Sequence, residues 1–228
     1  MSEIHFVGGE KGGVGKSVFA RLLCQYCIDK SQPFAAIDAD ISHGALLRYY
    51  SDYAQAVDLE VFESADQIMD RALGAERRVL VDLPAQSSRL LQRWFSSGAV
   101  LDFAREMGVK LYFWHVSDGG FDSINELQRN LSELGDSLQL IVVKNLGRSA
   151  DFSQFDESEV VKQMYINGGR VIELPALHAT TMYKIDRKGS SFWSAAHSDD
   201  GEFSLLPMER QRTRLWLTQA YGQVEKAL

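Results

Sequence analysis

The stretch Ile4-His5-Phe6-Val7-Gly8-Gly9-Glu10-Lys11-Gly12-Gly13-Val14-Gly15-Lys16-Ser17 decides how this chain is read. The apolar run Ile4–Val7 has the length of a buried strand, glycines crowd the residues after it, and a helical apolar pattern begins at position 16. Strand, glycine-rich turn and a helix opening on Lys-Ser form the arrangement of a phosphate-binding loop. Gly12, Gly13 and Gly15 allow successive backbone N–H groups to curl around an anion. The helix N-terminus adds partial positive charge. Lys16 is placed to neutralise β- and γ-phosphates, and the Ser17 hydroxyl to ligate Mg²⁺. Counting G-x-x-x-x-G-K-S back from Gly15 puts the first glycine at position 10, where Glu10 stands instead. A bland strand–helix turn would account for the glycines, but not for Lys16 and Ser17 directly behind them.

Outward from this loop, short apolar segments alternate with amphipathic ones. The pattern predicts strands at Ile4–Val7, Phe34–Ile37, Leu59–Phe62, Val79–Val81, Val109–Val116, Leu138–Val143 and Arg170–Leu174. Helices are expected over 16–30, 44–53, 64–74, 87–107, 121–134 and 156–166, with a last one from Met208 to Ala227. Such alternation predicts an α/β fold, a doubly wound, mostly parallel sheet with helices on both faces; the phosphate-loop motif behind its first strand makes it one of the P-loop NTPase type. No linker divides the chain, so residues 1–228 are read as a single domain. The segment Asp186–Gly201 reads as a loop within it.

Composition narrows the class. The 228 residues are 45 % apolar, enough for a full core, and carry 24 basic against 31 acidic side chains, a net charge of −7. That balance disfavours a protein that coats nucleic acid constitutively. Two cysteines exclude a disulfide scaffold and fit a reducing compartment. The N-terminal residues lack the apolar stretch of a signal peptide, and no run approaches the roughly 20 apolar residues of a membrane span. A cytoplasmic protein without an integral membrane segment is expected.

Three further places carry chemistry. Asp38 and Asp40, at i and i+2 of a strand end, point to the same side. Beside a polyphosphate they call for a cation and a water. The strand Val79–Val81 ends in Asp82, a position from which a carboxylate meets Mg²⁺. The strand Leu140–Val143 leads to Lys144-Asn145, and an amide offers both donor and acceptor to a base edge.

Lys11 through Ser17 resembles the deviant Walker A motif of the ParA/MinD family of ATPases, and the resemblance extends in order through Asp38-Ala39-Asp40, Asp82-Leu83-Pro84-Ala85, Asn145 and Pro175. It implies ATP and Mg²⁺ as cofactors. It implies a nucleotide site made by Gly12, Gly13, Val14, Gly15, Lys16, Ser17 and Val18, with Asn145 and Pro175 at the base. Ser17, Asp38 and Asp82 would lie near the metal. Asp40 would position the attacking water. Lys11 would reach across a nucleotide-sandwiched homodimer to the partner's phosphates, making Lys11, Lys16 and Asp40 the catalytic set. The family's behaviour further implies slow ATP hydrolysis stimulated by a protein activator, weak non-specific DNA binding if any, and a cargo such as plasmid DNA or a mobilisation complex.

Other features weigh less. Cys24 and Cys27 sit in the helix after the loop without a second ligand pair, so they are read as packing residues. His43 is read as a surface residue beside Asp40, and Trp94-Phe95 as core. The last helix, with Arg210, Arg212 and Arg214 spread around its axis, is read as core-packing rather than membrane-seeking. The competing reading is an ATP-dependent metabolic synthetase or kinase, which shares loop and sheet but generally lacks the early lysine. A nucleotide-holding pseudo-ATPase is disfavoured by intact Lys16, Ser17, Asp40 and Asp82.

Overall fold

The computed structural model describes residues 1–9, 11–134, 137–199 and 204–228. Glu10, and the last two residues of the segment read as a loop, Asp200 and Gly201, lie outside them. The strands are β1 (Glu3–Gly8), β2 (Phe34–Asp38), β3 (Ala54–Ala56), β4 (Arg78–Asp82), β5 (Lys110–Ser117), β6 (Gln139–Asn145) and β7 (Arg170–Leu174). They form one seven-stranded sheet in the order β3-β2-β4-β1-β5-β6-β7, and every pairing is parallel. Parallel strands need crossovers, and the helices that supply them cover both faces.

Alternation along each strand divides the core in two. On β1, β4 and β5 the side chains Ile4, Phe6, Val79, Val81, Leu111 and Phe113 face one layer. That layer contains α4 (Gln67–Leu73), α5 (Ser88–Ser97), α6 (Val100–Glu106), α7 (Phe121–Leu134) and α9 (Glu159–Ile166). Val7, Leu80, Trp114 and Val116 face the other, formed by α1 (Lys16–Asp29), α2 (Ala45–Tyr49), α10 (Ala179–Lys188), α11 (Phe192–His197) and α12 (Pro207–Ala227). Short helices α3 (Phe62–Ala65) and α8 (Ser153–Asp156) complete the chain's order. Helix α1 is buried on nearly every side from Phe19 to Cys27, because it lies between the sheet and α2, α11 and α12. Cys24 and Cys27 are free buried thiols there, in keeping with the packing reading. Trp94 and Phe95 pack edge-on against Phe6 in the opposite layer.

Four expectations are corrected. Leu59–Phe62 is not a strand: the third strand is Ala54–Ala56, and Leu59 is buried in a turn ahead of α3. Apolarity marked burial rather than pairing, since an edge strand of Ala-Gln-Ala carries almost no hydrophobic signal. The helix expected over 64–74 is two, with Asp66 between them accepting from the Trp94 indole at 2.9 Å. The helix expected over 87–107 breaks at Gly98-Ala99, where Ala99 takes a left-handed φ of 47°. Finally, the segment read as a loop from Asp186 contains α11, capped by Ser191 accepting from the Ser194 amide.

Candidate functional site: a phosphate loop, a carboxylate pair and a nucleoside cleft

The loop between β1 and α1 sits at the carboxyl edge of the central strand, where open parallel sheets bind ligands. Gly13 and Gly15 have φ of 80° and 104°, a region that L side chains rarely adopt. A Cβ on Gly15 would also lie 2.3 Å from the Asn145 amide nitrogen. Gly15 caps α1 without a side-chain partner, and the helix's first turn carries no acid. Its leading N–H groups therefore face outward with their positive potential uncompensated. Lys16 is 7 % exposed and folds back so that its Nζ donates to the Lys11 carbonyl at 3.1 Å. This wraps the loop around the space a phosphate would take.

Opposite the loop, adjacent strands β2 and β4 bring Asp38 and Asp82 into register. Both are fully buried. Asp38 Oδ2 accepts from the backbone amides of Leu46 and Leu47 at 2.7 and 3.1 Å, which ties the start of α2 to the site. Asp38 Oδ1 and both Asp82 oxygens have no hydrogen-bond partner of good geometry. Burial pushes the Asp82 carboxyl up to about 7, against the lowering effect of the neighbouring Ser17 hydroxyl, and Asp38 adds repulsion. Asp38 is raised as well, by burial first. Two buried carboxylates with unsatisfied oxygens beside a serine hydroxyl are destabilising alone and fit a divalent cation. Among the described residues no group of three or more His, Cys, Asp or Glu could hold a metal ion. Two carboxylates and a hydroxyl match the donor set of Mg²⁺, which takes one or two carboxylates and otherwise keeps phosphate oxygens and water.

Asp40 lies past the end of β2, held by Ser42 Oγ at 2.6 Å and by the His43 ring at 3.1 Å. Against partial burial, which raises it, these hydrogen bonds keep the carboxyl below its ordinary range, so it is an anion acceptor. His43 itself is exposed, as expected for a surface residue, though it is fastened to Asp40. Lys11 Nζ pairs at 2.6 Å with Asp118, which lies just past β5 and is itself fixed by the Gly120 amide and the Ser123 hydroxyl. Sequence reading missed Asp118, although its signal, an acid closing an apolar strand, matched the one used for Asp82.

A cleft of about 290 Å³ adjoins the loop and is lined by Val18, Asn145 and Pro175 together with Gly147, Tyr183 and Asp186, among others. The structure thus gathers Val18 of the nucleotide site with Asn145 and Pro175, the two residues assigned to the base. The Asn145 side chain is otherwise engaged: its Nδ2 donates to the Val14 carbonyl at 2.7 Å and its Oδ1 accepts from the Gly147 amide at 3.0 Å. These bonds brace the phosphate loop and leave the amide one N–H and one lone pair. Pro175 contributes its ring, while its carbonyl accepts from the Trp216 indole. On α12, Trp216, Leu217, Ala220 and Val224 are buried, so that helix packs on the core. Arg210 is turned toward Asp199, leaving Arg212 and Arg214 as the exposed part of the basic run.

No protein-family model matches the chain. Two curated relatives from Escherichia coli, both called Protein TraL, are 26 % identical to it over the whole chain and 99 % of their own length. Among solved structures, a nucleotide-binding protein from Archaeoglobus fulgidus in complex with ADP is similar with a TM-score of 0.55 at 14 % identity, covering 82 % of this chain and 86 % of that one. The MinD cell division protein of Aquifex aeolicus is similar with a TM-score of 0.53 at 15 % identity, covering 96 % and 97 %. The same protein in its MinC:MinD complex matches equally well, covering 96 % of each chain. The seven-stranded parallel sheet with its phosphate loop therefore has the fold of the ParA/MinD-like P-loop ATPases.

Proposed function

We propose that this chain is an ATP-driven molecular switch: it binds ATP with Mg²⁺, pairs with a second copy of itself, and resets by hydrolysis. The observation that carries this reading is the buried Asp38–Asp82 pair, with three of its four oxygens lacking a hydrogen-bond partner, beside a phosphate loop with Lys16 and Lys11. In this reading the loop amides and the α1 N-terminus hold the β-phosphate, and Lys16 neutralises the transferred group. Ser17, Asp38 and Asp82 would hold Mg²⁺, which would supply positive charge to offset that of the phosphates. Asp40 accepts a hydrogen bond from the attacking water and orients it in line. Lys11 stabilises charge on the partner's γ-phosphate, as an arginine finger does.

The likeness to an ADP-bound protein and to MinD supports nucleotide binding as the coarse function. Dimerisation, a protein activator, a macromolecular cargo such as plasmid DNA or a mobilisation complex, and weak ATP-dependent DNA contact through Arg212 and Arg214 are the finer parts of the proposal. The test is ATPase rate against protein concentration, with light scattering for mass. Turnover per chain should rise with concentration as ATP-bound dimers form. Turnover independent of concentration in a monomer would favour the synthetase or kinase reading instead.

A further inference from the structure

The Asn145 amide spends one N–H on Val14 and one lone pair on Gly147, so a second polar group in the cleft beside the phosphate loop adds to what is left for a nucleoside. Among the described residues Asp186, on α10, is the one carboxylate lining it. Its Oδ1 accepts from Arg21 Nη1 at 2.7 Å, and its backbone carbonyl accepts from the Tyr49 hydroxyl at 3.2 Å. The carboxylate makes no further hydrogen bond among the described residues, and the side chain is 43 % exposed. Arg21 is 3 % exposed, its guanidinium sandwiched 3.7 Å from the Tyr49 ring centre and 4.6 Å from that of Phe192. Its Nε and Nη2 are buried with no partner. A buried guanidinium with two idle nitrogens is a costly way to fill a gap between two rings. What it does accomplish is to fix one oxygen of Asp186, a residue that lines the cleft, while no hydrogen bond among the described residues holds the other.

We propose that Asp186 is the nucleoside-selecting residue of this site, with Arg21 as its positioning residue. A carboxylate only accepts hydrogen bonds. Guanine offers two adjacent donors, N1–H and the 2-amino group, which match both oxygens of a free carboxylate. Adenine's 6-amino group or a ribose hydroxyl needs only one oxygen, whereas the paired match to guanine also fixes how the carboxylate plane is turned. By pinning Oδ1 on itself, Arg21 fixes that plane on the protein's side, which favours a ligand that asks for the second oxygen alone. The inference rests on the ATP-binding reading and adds the residue that chooses the nucleoside.

Equilibrium binding to the full chain with Mg²⁺ tests it, using ATP, GTP, purine riboside triphosphate and 2′,3′-dideoxy-ATP. Asp186→Ala should weaken ATP by about tenfold or more, the effect of losing one charge-assisted hydrogen bond. On the wild type, the analogue lacking the paired donor should lose the same factor, and on Asp186→Ala it should lose nothing more. That comparison distinguishes the base amine from the ribose. Arg21→Met should raise GTP relative to ATP several-fold by letting the carboxylate turn freely, whereas Arg21→Lys should keep the preference for ATP. Should Arg21→Met fail to fold, Asp186→Asn carries the test and should lose the ATP preference. Unchanged ATP and GTP affinities in Asp186→Ala, beside tight ATP binding by the wild type, would overturn the assignment and leave the ATP reading intact. A loss in Asp186→Ala that neither analogue reproduces would also overturn it. Absence of ATP binding by the wild type would instead remove the reading on which it rests.

Discussion

Lys11 is held by an acid of its own chain: its Nζ lies 2.6 Å from Asp118 Oδ2. Asp118 raises the lysine's proton affinity, so the side chain is a firm cation. A lysine that acts on a partner's phosphate must first leave this pair. Asp118→Asn should therefore favour ATP-induced dimers by a few-fold, the modest scale of a half-exposed ion pair. Lys11→Ala should keep ATP affinity nearly unchanged and lose both dimerisation and most turnover. Light scattering with ATP and Mg²⁺ checks both variants. A fully active monomeric Lys11→Ala protein would refute the role in trans.

Lys16→Ala should reduce ATP affinity by at least a hundredfold. Its ammonium lies over the loop, bonded to the Lys11 carbonyl, and Lys11 itself is turned to Asp118. The loop then keeps only backbone dipoles to meet a polyphosphate. Titration with a fluorescent ATP analogue measures the loss, and wild-type affinity would displace the phosphate site from this loop.

Asp40→Ala should leave ATP binding intact and slow hydrolysis by two orders of magnitude or so, the scale of a misplaced attacking group. The carboxylate touches Ser42 and His43, not the phosphate loop, so the cradle survives its removal. The variant should accumulate as an ATP-bound dimer on a sizing column. Hydrolysis at the wild-type rate would clear Asp40 of the water-positioning role.

Asp82→Asn should separate stability from function. At pH 8, above the value of about 7 to which burial pushes it, the wild-type carboxyl is ionised and unpaired without a cation. The isosteric amide removes that buried charge. Thermal unfolding in EDTA should then shift upward by a few degrees, since roughly 1 kcal/mol moves Tm about 2–4 °C at this chain length. The same variant should lose the further rise that Mg²⁺ with ATP gives the wild type. An unchanged response to Mg²⁺ would place the metal elsewhere.

Much of this molecule is local information. The Ile4–Val7 run, the glycines, and Lys16-Ser17 at a helix start specify the strand, loop and α1 without reference to the rest, because backbone conformation there depends on neighbours in sequence. Asp38 and Asp82 were legible for the same reason, each closing an apolar strand, and α7 falls on the residues its periodicity marked. The strand Ala54–Ala56 was not, because an edge position asks little of its side chains. What only the tertiary structure decided is which distant groups meet. Asp118 stands 107 residues from Lys11, and Asp186 stands 165 from Arg21. The crossovers of a parallel sheet bring strand ends that are remote in sequence to one edge, and no pattern along the chain records which side chains will touch there. The commitment of Asn145 to the phosphate loop is of the same kind: the residue and its place were readable, but the partner that took its amide lay 131 residues away.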